Sequence, residues 1–235
     1  MLQQIRRSEQ RGHANHGWLE SFHSFSFASY YDPNFIEFGP LRVINEDRVQ
    51  PGTGFGEHGH RDMEIISYVL EGELAHQDSL GNGSTLRPGD VQRMSAGTGV
   101  LHSEFNPSPT QAVHFLQIWI KPRSTGIAPG YEQRHFGVEA RRGRLCRIVD
   151  GQARDGALSM HQDASLYAGL FDCAEHAELA LDPARRAYVH LVRGSLHVNA
   201  IELGAGDALM LRHADRLQLR QGEGAEVLVF DLADR

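Results

Sequence analysis

Short apolar runs separated by turn-forming residues set the pattern of this chain. His23-Ser24-Phe25-Ser26-Phe27 alternates with the period of two that a strand requires, so His23, Phe25 and Phe27 are predicted to share one face. Further strands are predicted over 41–44, 64–70, 74–77, 91–94, 101–105 and 113–121. The separators carry turn chemistry, notably Gly81-Asn82-Gly83-Ser84 and Arg87-Pro88-Gly89-Asp90. Short strands at this spacing imply an all-β sandwich or barrel.

From Pro122 to Phe136 the apolar period lapses, with Pro122, Gly126, Pro129 and Gly130 punctuating the stretch, which predicts an inter-domain connection. A second strand-rich half follows, over 145–149, 166–171, 178–181, 188–192, 196–198, 208–211, 217–219 and 227–232. The expected division is therefore 1–121, a linker at 122–136, and 137–235. The second half reads as a worn copy of the first. Leu70-Glu71-Gly72-Glu73-Leu74 matches Val192-Arg193-Gly194-Ser195-Leu196, and Pro88-Gly89-Asp90-Val91 matches Ala205-Gly206-Asp207-Ala208.

Two pairs in the first half have the chemistry of metal ligands: His58-Gly59-His60 and His102-Ser103-Glu104. Residues two apart on a strand point the same way, so each pair presents two donor groups side by side. Brought together inside a barrel, three imidazoles and the Glu104 carboxylate would hold one divalent ion and leave coordination positions free. Counted from the repeated glycines, the equivalent positions of the second half are Ala180, Asp182, Arg186, Leu219 and Gln221, so the copy is expected to have lost the site.

The order of these residues resembles the cupin superfamily: Gly56, His58, His60, Glu64 and Gly72, then Pro88-Gly89, His102 and Asn106. Ser95 standing where proline is usual, two extra residues between Gly97 and His102, and Glu104 taking the place of Glu64 as the acidic ligand resemble one branch, the pirin family. The likeness runs through Phe38-Gly39-Pro40-Leu41-Arg42-Val43, through Gly56 to Glu64, and through Ser95-Ala96-Gly97-Thr98-Gly99-Val100-Leu101-His102-Ser103-Glu104. It implies a bicupin with one mononuclear site in its first barrel, formed by His58, His60, His102 and Glu104. It also implies a resemblance to bacterial quercetin 2,3-dioxygenases, which open a flavonol ring with O2, and to family members that act as iron-containing transcriptional cofactors with a protein partner.

Composition narrows the alternatives. A net charge of -7 with no long basic run argues against direct nucleic-acid binding, which needs clustered Lys and Arg. No apolar run approaches the roughly 18 residues of a membrane span, and the polar start Met1-Leu2-Gln3-Gln4-Ile5-Arg6-Arg7 does not read as a signal peptide, so a cytoplasmic chain is expected. Cys146 and Cys173 cannot scaffold a chain of 235 residues and are expected to be buried.

Histidine with carboxylate suits Fe(II), the foremost expectation, with Ni, Cu, Mn, Co or Zn also accommodated. An open, positively charged site favours an anionic oxygen such as an enolate, whose proton Glu104 is placed to take, and the resemblance implies that this oxygen belongs to a planar, enolisable aromatic substrate that reacts with O2. The face of His23, Phe25 and Phe27 either walls the pocket or packs a core, and His23 and His114 are the candidates for a further acid–base group. Glu64 is expected either to brace a ligating imidazole or to pair with Arg61 or Arg93.

Overall fold

The structure, a computed structural model, describes residues 1–234 and is a bicupin built almost wholly of strands. The first barrel has two facing sheets. One has seven strands, in the order Gly130–His135, Asp90–Ser95, Glu64–Glu71, Val113–Ile120, Leu41–Val49, Leu19–His23 and Gly12–Asn15. The other has four, in the order Gly54–His60, Val100–Phe105, Leu74–Asp78 and Gly83–Leu86. Eight strands of the second half, joined by Leu2–Arg6 of the first, form a nine-stranded sheet that wraps around its own core.

Burial explains why these strands read differently in sequence. Val113–Ile120 and Glu64–Glu71 are covered on both faces, so both are nearly continuous apolar runs. One face of each looks into the first barrel. The other packs on the second half, where Ile66, Tyr68, Leu70, Leu116 and Ile118 meet Leu166, Tyr188, Val192, Leu228 and Phe230. Val100–Phe105 has solvent on one side, and its alternation sends His102 and Glu104 inward and Leu101 and Phe105 outward.

The expected division needs two corrections. The supposed linker 122–136 contains the strand Gly130–His135, which pairs antiparallel with Asp90–Ser95 and extends the first sheet. As a largely exposed edge strand it needs no apolar face, which is why its sequence shows no period. At the other end Leu2–Arg6 pairs with Ala208–Arg212 of the second half, and Asp207 accepts from the Ser8 N–H at 2.8 Å and pairs with Arg7 at 2.6 Å. The span 1–121 thus lends its first strand to the other barrel.

The internal repeat is visible in the backbone. Gly72 and Gly194 have φ of +73° and +71°, and Gly89 and Gly206 have +93° and +82°, conformations that residues with a Cβ rarely adopt. At Gly194 the conformation makes a bulge and no turn, so the two strands expected at 188–192 and 196–198 are one, Arg186–Val198. Likewise 217–219 and 227–232 belong to Arg216–Leu232. Cys146 is half-buried, but Cys173 is exposed, contrary to expectation. No helix among the described residues is long and apolar enough to cross a membrane.

Candidate metal centre and its cavity

Gly54–His60 and Val100–Phe105 pair antiparallel, with His58 opposite His102 and His60 opposite Val100. The register slips between His102 and Glu104, so that Glu104 falls opposite Phe55. Such a bulge re-aims side chains. It also needs close backbone approach: a Cβ on Gly54 would lie 2.3 Å from the Glu104 carbonyl oxygen.

The three imidazoles converge. His58 Nδ1 lies 2.8 Å from the Gly56 carbonyl, to which it donates, leaving Nε2 bare, and that atom is 3.0 Å from His102 Nε2. One ring nitrogen from each of His58, His60 and His102 lies within 4.8 Å of the others. Two ligands about 2.1 Å from one ion and about 90° apart would be about 3 Å from each other, so the spacing fits a single divalent cation. Burial, reinforced by the neighbouring imidazoles, pushes His102 down to about 3 and His60 to about 4, which keeps both rings neutral, the form that binds a metal.

Glu104 is buried beside this cluster. Ser67 Oγ donates to one carboxylate oxygen at 3.0 Å and Gln117 Nε2 to the other at 2.6 Å. Burial pushes its carboxyl up to about 7, with Ser67 opposing, Asp47 adding to the rise and Gln117 opposing. Glu104 groups most closely with His102 and His76, a buried histidine absent from the sequence expectations. The alternation in Leu74–Asp78 held the signal: it places His76 opposite Glu104 and Asp78 opposite His102.

A cavity of about 550 Å³ opens on His58, His60, Glu104 and Gln117, walled largely by Trp18, Leu19, Phe27, Phe55 and Trp119. The Trp119 ring meets His60 edge-on with centroids 5.0 Å apart. Polar side chains punctuate the wall: Ser21 and Asp47 sit opposite each other on neighbouring strands, as do His23 and Asn45. None of Ser21, Asn45, Asp47, Ser67 or Gln117 was singled out from sequence, because isolated polar residues in a strand look like surface until the fold shows which face is inside.

Of the predicted pocket residues, His23 and Phe27 line the cavity and Phe25, His114 and Glu64 do not. The strand Leu19–His23 ends at His23, so the period-two face is broken and Phe25 packs against Tyr188, centroids 5.6 Å apart, between the halves. His114 Nε2 lies 2.9 Å from Glu46. Glu64 is wholly buried on the opposite face of its sheet, accepting from Ser95 Oγ at 2.8 Å and lying 3.3 Å from His161 Nδ1. Parity counted from His58 and His60 does not survive the turn at 61–63, where Asp62 has φ of +50°. Arg93 pairs with Glu132 instead.

Two cupin barrels, with His58, His60 and His102 clustered in the first, Glu104 grouped there with His102 and His76, and no such cluster among the described residues of the second, define the class of protein. Family profiles agree with that division: "Pirin" matches residues 4–120 and "Quercetinase C-terminal cupin domain" matches 148–232. The chain belongs to the pirin family. It is 46% identical over 228 residues to the quercetin 2,3-dioxygenase of Escherichia coli K12, covering 97% of each chain. To the putative quercetin 2,3-dioxygenase of Pseudomonas aeruginosa it is 44% identical over 226 residues, covering 96% of this chain and 97% of that one. The crystal structure of the bacterial pirin YhhW from E. coli in complex with nickel(II) superposes with a TM-score of 0.94 at 44% identity, covering both chains completely.

Proposed function

We propose that this chain is a metal-dependent dioxygenase that opens the ring of a flavonol such as quercetin, with His58, His60, His102 and Glu104 holding one divalent ion. The observation that carries the reading is an apolar cavity, large enough for a flat, multi-ring ligand, lined by His58, His60 and the buried Glu104, with His102 grouped both with the two histidines and with Glu104. The names of the E. coli and P. aeruginosa relatives support the substrate class. The nickel(II) complex of the E. coli pirin supports a divalent ion, and Ni(II) joins Fe(II) as the first to be tested.

When bound, the ion supplies Lewis acidity toward an ionised hydroxyl and, with a redox-active metal, a route for reaction with O2. The chain supplies the rest. Phe27, Phe55 and the two tryptophans flank a planar ring system and exclude water. Glu104 is the acceptor for the proton of the enolic hydroxyl, and Ser67 and Gln117 hold its carboxylate in place. In the overall change both atoms of O2 enter the product and one ring carbon leaves as carbon monoxide.

A purely regulatory role, in which metal redox state governs a protein partner, needs no ligand space beside the metal. The open cavity favours turnover. Protein reconstituted with Fe(II) or Ni(II) is expected to bleach the flavonol absorbance with O2 uptake, and His58→Ala to abolish it. Wild-type protein that holds metal but consumes no flavonol with any divalent ion overturns the reading.

A further inference from the structure

The cavity carries a second carboxyl that the reaction above does not use. Asp47 is 4% exposed, lines the same space as the histidines, and sits one inward-facing position further along Leu41–Val49 than Asn45. Asn45 lies opposite Gln117, whose amide reaches Glu104, so Asp47 is about 6.7 Å further along the strand than the row serving the proposed metal centre. One of its oxygens accepts from Ser21 Oγ, the hydroxyl directly across the strand pair. Around this end stand Trp18, Leu19 and Phe55, with Trp18 and Phe55 edge to face at 5.2 Å.

Burying a carboxyl among such neighbours is costly unless its lone pairs are satisfied, and Ser21 satisfies only part of its capacity. Among the described residues no lysine or arginine lines the cavity. A ligand therefore cannot be welcomed at this end by its own carboxylate or phosphate. It is welcomed by an O–H donor on a flat ring, which a carboxylate oxygen accepts as a short, strong hydrogen bond. The same site penalises a ring that lacks the donor, since the desolvated carboxyl is then left partly unpaired.

The geometry points to Asp47, braced by Ser21, as the residue that selects ligands bearing a phenolic hydroxyl on the ring remote from the metal. The inference rests on the flavonol reading for the ring system and adds to it which flavonols fit: those hydroxylated on the pendant ring.

Both tryptophans of the chain, Trp18 and Trp119, line the cavity, so intrinsic fluorescence reports occupancy without turnover. The test titrates Ni(II)-loaded protein, held free of O2, with galangin, kaempferol and quercetin, which carry no, one and two hydroxyls on the pendant ring. Wild type is expected to bind kaempferol and quercetin about tenfold or more tighter than galangin. In Asp47→Leu the preference collapses to within about twofold while galangin binding is kept or improved, and Ser21→Ala narrows it less. Asp47→Asn, which conserves shape, carries the comparison if the leucine variant loses metal or folded signal. Equal affinities in wild type, or a preference that survives loss of Asp47, overturn the inference and leave the flavonol reading standing. Failure of all three compounds to bind overturns both.

Discussion

His58 and His102 stand directly opposite each other on paired strands, and their Nε2 atoms are 3.0 Å apart although 44 residues separate them in the chain. Two imidazole rings gain little from such closeness, because at most one can donate to the other. Together with His60 they form a preorganised donor set, whose repulsion a cation relieves.

Removing a donor should therefore cost metal before it costs fold. His58→Ala and His102→Ala are expected to lose the bound ion as purified, measured by elemental analysis, with strand content by circular dichroism unchanged. Gln117→Ala and Ser67→Ala leave all four proposed ligands present but free the Glu104 carboxylate. Affinity should drop about tenfold to a hundredfold, read by competition with a chelator. Full metal content at wild-type affinity in the histidine variants would place the ion elsewhere.

Gly54 and Gly59 lie on the same strand, yet they should respond oppositely to a methyl group. A Cβ at Gly54 meets the backbone of Glu104 at 2.3 Å and of Phe105 at 2.6 Å, atoms that cannot turn away. At Gly59 the nearest atom is the end of the Leu101 side chain, at 3.3 Å. Gly54→Ala is expected to lower stability by about 1–3 kcal/mol and to weaken metal binding by displacing Glu104, whereas Gly59→Ala costs under about 1 kcal/mol. Urea denaturation with parallel metal analysis distinguishes them, and equal losses would contradict the assignment of Gly54 to the bulge.

How much of this was legible in sequence follows from where each signal lived. The H-x-H pair and His102-Ser103-Glu104 are local, and period two alone placed both proposed ligands of each pair on one face. The internal repeat was legible too, because Gly194 and Gly206 keep the positive φ of Gly72 and Gly89. What failed was everything that depended on the partner of a face. Glu64 shares numerical parity with His60, but the Asp62 turn reverses it, and Phe25 follows a strand that has already ended. The edge strand Gly130–His135 and the exchanged strand Leu2–Arg6 carry no apolar period of their own, so only the neighbouring strand reveals them. Asp47 was hidden for the same reason: in Asn45-Glu46-Asp47-Arg48 nothing local tells the inward acid from the outward one.

Asp47 should make the metal-free protein sensitive to alkali. Burial pushes its carboxyl from 3.8 up to about 7, against the Ser21 hydrogen bond, while Glu46 adds to the rise. The folded state thus holds this proton where the unfolded chain has released it. Stability falls as pH climbs from about 4 to 7, and above 7 the full penalty of about 4 kcal/mol applies. Asp47→Asn is expected to raise the stability of metal-free protein markedly at pH 8 and little at pH 4, the pattern of a group kept for binding at the expense of stability. A variant whose gain is equal at both pH values would show that the carboxyl is ionised normally in the fold.

The opposite sign holds at His190, which is buried where the two halves meet, with neither ring nitrogen hydrogen-bonded. Burial, then Arg11, push it from 6.5 down to about 4, with Glu46 and Asp207 opposing. Here the unfolded chain takes up a proton that the folded one refuses. Stability is untouched above pH 6.5, falls as pH drops through the window from 6.5 to 4, and is lower by about 2 kcal/mol at pH 5. His190→Leu keeps the packing and removes the titration. Its stability loss between pH 8 and pH 5, measured by chemical denaturation, should be smaller than that of wild type by about this amount, since the other acid-sensitive groups are common to both. Identical losses would mean that His190 accepts its proton in the folded state, so that the partners around it, Glu46 and Asp207, outweigh its burial.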